Sequence, residues 1–212
     1  MADVMTNPES EFIMHISEGI LSGQVLVSGM ALSAVGTYIG FKTLDYDRIP
    51  QTAILSSAFF VASLVHVPIG PSSIHLILNG LVGILLGWGA FPAIMIALLL
   101  QAMIFQFGGI TTLGVNTIIM AAPAVIGFYV FRSVILKQSV FANISAFACG
   151  FFSVFLSAIL VGCALFFTEK NFWEISMAVV VAHLPVMLIE GVITAFCIAF
   201  LKKVQPELLS NF

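Results

Sequence analysis

Seven apolar segments, separated by short polar or glycine- and proline-containing stretches, dominate the pattern along the chain. None shows the alternation of apolar and polar residues that is typical of membrane β-barrels. Each is close to the roughly 20 residues that a helix needs to span a bilayer. Because lipid leaves backbone polar groups without partners, the pattern predicts an all-α integral membrane protein with seven transmembrane helices. The segments are residues 21–42, 51–67, 73–89, 91–107, 112–132, 140–167 and 173–201.

Composition narrows the class of protein further. Of the 212 residues, 60% are hydrophobic and 8% are charged, with a mean hydropathy of +1.15. Soluble domains carry about a quarter charged residues, so a soluble protein is nearly excluded. The seven basic residues are too few and too scattered to form a nucleic-acid-binding surface. We therefore expect a multi-pass membrane protein.

The basic residues predict the orientation. Six of the seven follow the first, fifth and seventh segments, and only Lys170 falls on the other side. The positive-inside rule makes the side with six cytoplasmic. The N-terminus is then predicted outside and the C-terminus inside. The six are Lys42, Arg48, Arg132, Lys137, Lys202 and Lys203.

Three local patterns predict interruptions or close contacts. Residues 67–73 contain Pro68, Gly70 and Pro71 and are not expected to be helical. A tight turn is expected at Gly89-Ala90, with Phe91-Pro92 opening the next helix. The pairs Gly36-x3-Gly40 and Gly83-x3-Gly87 favour close helix packing in lipid.

Polar residues mark a candidate site on the predicted outer side. The stretch MHISEGIL places His15 there, and His66 and His75 flank the proline-containing segment. Histidine suits zinc, copper, nickel and cobalt. The later stretch FGGITTLGVNTIIMAAP is expected to be a non-helical polar loop that covers the site. Within it Asn116 is a candidate to orient a ligating imidazole, as metal sites usually require, and Thr112 is a candidate cap.

His183 and Glu190 lie in the last segment, seven residues apart and therefore on one helix face. Two interpretations are open. They form a proton relay or ligate a metal, or they make hydrogen bonds between helices, with Pro185 loosening the helix between them. Because Glu190 falls in mid-span, we expect it to face the bundle interior.

Four motifs in order resemble the cobalt/nickel permease family, whose CbiM/NikM-type members are substrate-binding membrane components of energy-coupling-factor ABC importers. The resemblance covers nearly the whole chain from Met14 and implies a seven-helix bundle. The motifs are MHISEGIL, GPSSIHLILNGLVGILLG, LLLQAMIFQFGGITTLGVNT and HLPVMLIEGVIT.

The resemblance also implies a set of four nitrogen ligands. They are the α-amino group of Met14, the amide nitrogen and imidazole of His15, and the imidazole of His75. Four nitrogens in a plane suit nickel(II). His66, Asn79, Asn116 and Thr112 are then expected to support or cover the metal.

One departure from the family pattern concerns the first thirteen residues, because Met14 as written has no free amine. Three explanations are open: translation begins at Met14, proteolysis removes the extension, or another ligand such as His66 replaces the amine. The extension has no signal-peptide character. We expect residues 1–13 to be an extension absent from the mature protein, and residues 14–212 to form a single metal-binding transmembrane domain.

The expected mechanism needs partners. The chain has no G-x4-G-K-[ST] motif, so we expect no enzymatic activity in it. The resemblance implies a transmembrane coupling subunit, ABC-type ATPase subunits and often a small additional membrane subunit. The coupling surface is expected to involve small-residue helix faces, such as those around Gly36 and Gly40, and the sequence does not determine which faces. Alternatives are a self-sufficient secondary metal transporter or channel, and a vitamin-binding component of the same transporter class. The sequence does not separate nickel from cobalt.

Overall fold

The computed structural model describes residues 16–69, 72–137, 140–168 and 173–210. Within these ranges the chain forms nine α-helices and one antiparallel β-hairpin. The helices are α1 (Gly23–Thr43), α2 (Ile49–Ala62), α3 (Asn79–Leu86), α4 (Ala90–Phe105), α5 (Leu113–Ile135), α6 (Val140–Thr168), α7 (Trp173–Ala182), α8 (Leu184–Val204) and α9 (Glu207–Ser210). The strands are β1 (His66–Ile69) and β2 (Ser72–His75). Tyr46–Arg48 and Gly87–Gly89 form 3₁₀ turns.

Helices long and apolar enough to cross a bilayer make up most of the described chain. Five stretches qualify, which confirms an α-helical membrane protein. They are Gly23–Thr43, Asn79–Phe105, Leu113–Ile135, Phe141–Thr168 and Leu184–Val204. The second of these is not one straight helix, because the chain reverses at the turn between α3 and α4.

Glycine contacts establish the direction of these helices. A Cβ at Gly87, where φ is +54°, would lie 3.3 Å from the Phe128 ring, while Gly83 packs on the backbone of Ala124. Helix α3 therefore runs parallel to α5. Gly40 of α1 packs on Pro92, close to the start of α4. Helix α4 therefore runs back, antiparallel to α1.

The bundle has two chemically different ends. At the N-terminal end, where α1 and α5 begin, the backbone N–H of Ser22 donates to Thr168 Oγ1 at the end of α6 (3.2 Å). We call the other the basic end, because the six basic residues that the sequence grouped together lie there. They are Lys42, Arg48, Arg132, Lys137, Lys202 and Lys203.

The small residues of α1 face its own bundle, which corrects the expected coupling surface. A Cβ at Gly36 would overlap the Phe91 ring. A Cβ at Gly40 would lie 2.6 Å from the Trp88 carbonyl oxygen. Close helix packing at glycine was predicted correctly. The partner at these glycines is the same chain, so they are not available to another subunit.

The prediction of a third helix over residues 73–89 is wrong for the first part of that range. Residues 72–75 form β2, and α3 begins only at Asn79. The hairpin also makes the description "all-α" incomplete. Pro68 lacks a backbone N–H and therefore disfavours helix here, while the apolar residues that follow conceal the change. Eight residues make α3 only about 12 Å long, less than half of the roughly 30 Å hydrocarbon core.

Two other predicted boundaries also differ. The seventh segment is broken at His183 into α7 and α8, because Pro185 cannot donate the backbone bond that a continuous helix needs. The polar loop is shorter than expected, since α5 begins at Leu113 and takes Asn116 into its first turns. The turn before Ala90 is as predicted, with Pro92 in the first turn of α4.

Candidate metal centre

The candidate ligands Met14 and His15 lie outside the described residues, which begin at Ile16. Ile16 itself is buried and held from both sides of its backbone by one side chain. Its N–H donates to Asn116 Oδ1 at 3.1 Å, and its carbonyl oxygen accepts from Asn116 Nδ2 at 3.1 Å. The residue next to His15 is therefore fixed on α5 by a two-point amide contact.

Further contacts fix the surroundings of this amide. Asn116 Nδ2 also donates to Thr112 Oγ1 at 3.3 Å, and that hydroxyl donates to the Gly109 carbonyl oxygen at 3.3 Å. On the exposed side, Glu18 Oε1 accepts from the backbone N–H of Thr111 at 3.2 Å. The loop that was predicted as a cap thus contacts residues 16–18. Asn116 contacts backbone where an imidazole was expected.

The hairpin places the other candidate histidine in the bundle. Its register pairs His66 with His75. The His75 side chain is only 4% exposed, and its Nδ1 lies 3.1 Å from the Leu76 carbonyl oxygen. A carbonyl can only accept, so Nδ1 carries the proton. The lone pair of neutral His75 is then on Nε2, the form that binds a metal.

Glu190 holds the chain that follows His75. Its Oε1 accepts from the backbone N–H groups of Ile77 and, at 2.9 Å, of Leu78. Its Oε2 accepts from Leu78 at 3.0 Å. Glu190 is fully buried and faces the bundle interior. The sequence identified this carboxylate but paired it with His183, and its contact with the hairpin-to-helix connection was missed.

His183 has a different environment from Glu190. Its Nδ1 donates to the Val179 carbonyl oxygen at 2.6 Å, within the turn that ends α7. It is 1% exposed, and its Nε2 has no hydrogen-bond partner among the described residues. The two residues therefore bond to separate parts of the chain.

Other buried polar side chains join helices of the bundle to one another. Asn79 donates to Ser157 Oγ at 2.9 Å, deep between α3 and α6. Gln101 donates to Ser63 Oγ at 2.7 Å and joins the ends of α2 and α4. Gln101 was not singled out from the sequence, although a lone glutamine within LLLQAM is the signal that identifies it.

The described residues alone do not make a metal cluster. Among them, no three His, Cys, Asp or Glu side chains come together. They contain the buried imidazole of His75, whose Nδ1 donates to the Leu76 carbonyl oxygen, and a fixed residue directly after His15. His75 is therefore a candidate nitrogen donor. Ile16 fixes the point at which the start of the chain joins the bundle.

Known proteins resemble the chain over nearly its full length. A family model described as "Cobalt uptake substrate-specific transmembrane region", CbiM, matches residues 15–208. A Haemophilus influenzae protein called "Putative metal transport protein" is 40% identical, over 93% of this chain and 98% of that protein. The cobalt transport protein CbiM of Kyrpidia tusciae is 31% identical, over 98% and 91% of the two chains.

Solved structures agree with these relatives. A crystal structure of a transition metal transporter matches with a TM-score of 0.70 and 28% identity, covering 90% of this chain and 93% of that one. With the apolar helices, these matches make the protein a multi-pass component of the plasma membrane. The chain belongs to the CbiM family of substrate-specific transmembrane components of cobalt uptake.

Proposed function

We propose that the chain captures Co²⁺ or Ni²⁺ outside the cell, as the substrate-binding component of an energy-coupling-factor ABC importer. The relatives named for cobalt transport and for nickel transport support the choice of metals. The fused nickel transport protein NikMN of Rhodobacter capsulatus is 30% identical, over 93% of this chain and 64% of that protein. The proposed ligands are the Met14 α-amino nitrogen, the His15 amide and imidazole nitrogens, and His75 Nε2.

One observation carries the proposal, and it is the contact of Asn116 with Ile16. A chain terminus ordinarily moves freely, and fixing it costs conformational entropy. Here both backbone groups of the residue after His15 are bonded and buried. A chelate made by the start of the chain needs this restraint, because its three nitrogens must reach the metal together. Asn116 supplies it from a rigid helix.

The arrangement also suits the chemistry of the cargo. Adjacent donors on one chain chelate a metal with less entropy loss than separate side chains. Nitrogen ligands fit both nickel and cobalt. The backbone at this depth is irregular, and such backbone is tolerated within a membrane only where protein covers it or it lines a cavity. Burial of His75 and Ile77 meets this condition.

The free amine requires a mature chain that begins at Met14. Intact-mass measurement of the purified native protein should therefore give Met14 as the first residue. Full metal binding by a chain that retains residues 1–13 would contradict the four-nitrogen site.

We infer seven membrane crossings with the N-terminus outside. The alternating directions of the helices support this number, with the hairpin and α3 together serving as the third crossing. The six cations at the basic end support a cytoplasmic location for that end. A transmembrane coupling subunit and ABC-type ATPases would supply the energy, with ATP hydrolysis in those partners and no catalysis in this chain. A small additional membrane subunit is part of the same proposal.

The decisive experiment measures Ni²⁺ and Co²⁺ binding to purified His75→Ala and His66→Ala variants. Losing a ligand should weaken binding by His75→Ala at least about 100-fold, whereas His66→Ala should stay within a few-fold of wild type. Thermal unfolding in detergent controls for folding. Retained binding in His75→Ala would overturn the ligand assignment. Loss in His66→Ala alone would make His66 the replacement ligand.

A further inference from the structure

We propose that Glu190 positions His75 for metal binding by holding the backbone of Ile77 and Leu78 in a conformation that this chain would not otherwise adopt. The inference rests on the proposed role of His75 as a ligand. It assigns Glu190 a task through other residues, since the carboxylate itself bonds to backbone N–H groups.

The conformation of Leu78 is the first step of the argument. Leu78 has φ +57° and ψ +17°, the left-handed region that side chains other than glycine rarely occupy. This residue turns the chain from the extended segment after β2 into α3. Both carboxylate oxygens of Glu190 accept from the Leu78 N–H, so the unusual residue is also the one held most closely. Such backbone persists where its surroundings determine it.

A continuous series of contacts joins this carboxylate to the candidate ligand. Glu190 fixes Ile77 and Leu78, and the N–H of Leu76 donates to the Val65 carbonyl oxygen at 3.3 Å. Leu76 is therefore held from both sides. Its own carbonyl oxygen accepts from His75 Nδ1, which sets the tautomer and the plane of the ring. The aim of His75 Nε2 thus depends on where Glu190 holds the chain.

The carboxylate is mounted on a rigid part of the bundle. A Cβ at Gly150 of α6 would lie 2.6 Å from the Glu190 carbonyl oxygen, and a Cβ at Gly191 would lie 2.7 Å from the Phe147 ring. Helices α6 and α8 therefore touch at the level of Glu190. Because hydrogen bonds are strong in a low-dielectric interior, a carboxylate at the start of α3 is a strong restraint there.

The test compares Glu190→Gln with a rescue at Leu78 in the full-length protein. Glutamine keeps one acceptor but loses the charge and the second oxygen. We expect Ni²⁺ binding to weaken by about 10–100-fold, as for other residues that orient metal ligands, with an altered Ni²⁺ absorption spectrum. Adding Leu78→Gly should recover a factor of about 5–30, because glycine adopts the left-handed conformation without a restraint.

The controls separate this inference from the proposed function. Thr194→Val changes a buried polar residue one turn along α8 and should leave affinity and spectrum unchanged. Wild-type affinity in Glu190→Gln, or no recovery with Leu78→Gly, would overturn the positioning role. His75→Ala with undiminished binding would instead overturn the proposed function. If Glu190→Gln does not fold, Leu78→Val is the alternative test, because a β-branched residue disfavours the left-handed conformation at position 78. This variant should weaken Ni²⁺ binding. Unchanged binding would overturn the inference.

Discussion

The two ends of the bundle hold their backbone with opposite chemistry. From the N-terminal end as far as mid-span, carboxylate and amide side chains accept hydrogen bonds from the backbone N–H groups of Ile16, Ile77, Leu78 and Thr111. At the basic end, cationic side chains donate to backbone carbonyl oxygens. They are Arg48 to Leu85, Arg132 to Leu209 and Lys202 to Lys137, each at 3.0 Å.

The direction of the helices partly explains this difference. A helix leaves N–H groups without partners at its start and carbonyl groups without partners at its end. The starts of α3 and α5 attract acceptors and negative charge, and the end of α3 attracts Arg48. Each end of the bundle therefore receives the side chains that complement the helix termini near it.

Because they differ in burial, the two sets of backbone contacts contribute unequally to the free energy of unfolding. Asn116 and Glu190 are 2% and 0% exposed, whereas the contact of Lys202 with Lys137 is exposed. Losing a partner of a buried backbone group leaves that group unsatisfied, which costs far more than an exposed contact. The comparison teaches that the buried backbone contacts are concentrated between the N-terminal end and mid-span, in the part of the bundle that contains Ile16 and His75.

The largest effect is expected from Asn116→Leu. This change leaves both backbone groups of Ile16 without their partner in a buried place. At about 1–3 kcal/mol for each group, the free energy of unfolding should fall by about 2–6 kcal/mol. Ni²⁺ affinity should fall by at least about 100-fold, because the residue after His15 is released. Isothermal calorimetry and thermal unfolding in detergent measure the two quantities.

Thr117→Val is the matched control for Asn116→Leu. Thr117 is the next residue, is equally buried, and its hydroxyl donates only to the Leu113 carbonyl oxygen within its own helix (2.7 Å). We expect near-native metal affinity and a loss of about 1 kcal/mol or less. Equal losses of affinity in the two variants would show that α5, and not the contact with Ile16, controls the site.

The next effect, at the basic end, is expected from Arg132→Met. Arg132 donates to the Leu209 carbonyl oxygen and lies 5.1 Å from the centroid of the Phe128 ring. Methionine keeps most of the apolar stem and loses both contacts, so the free energy of unfolding should fall by about 1–2 kcal/mol. Metal affinity should not change. Weakened Ni²⁺ binding with an intact fold would contradict the separation of the two ends.

The sequence predicted the helical regions well where one apolar segment corresponds to one helix. The segments of α1, α5 and α6 are examples, and their long runs leave no other way to satisfy the backbone in lipid. The family resemblance added the identity of the candidate ligands. Pro68 correctly predicted a non-helical connection after α2, where His66–Ile69 form a strand, while Gly70 and Pro71 lie outside the described residues.

What the sequence could not predict depends on partners that are distant along the chain. Glu190 and Leu78 are far apart in sequence, and no local pattern indicates that one holds the other in a left-handed conformation. The same holds for Asn116 and Ile16. The hairpin was hidden because residues 72–78 are as apolar as the helix that follows. Tertiary hydrogen bonds, and not hydrophobicity, determine where α3 begins.

The smallest effects are expected from one exposed contact at each end, changed as a pair. Glu18→Gln weakens the bond from the Thr111 N–H, and Lys202→Met removes the bond to the Lys137 carbonyl oxygen. Each should change the free energy of unfolding by about 0.5 kcal/mol or less, since water replaces the lost partner. Thermal unfolding with added salt checks this, because both effects should shrink further when charges are screened.

This pair decides between two causes of the difference between the ends. If burial is the cause, losing the exposed Glu18 contact at the N-terminal end should reduce stability as little as losing the exposed Lys202 contact at the basic end. Glu18→Gln should then retain Ni²⁺ affinity within about 2-fold, although Glu18 lies only three residues from His15. A large loss of affinity in Glu18→Gln alone would mean that proximity to the metal, rather than burial, makes a contact important, and the loop at Thr111 would then belong to the site.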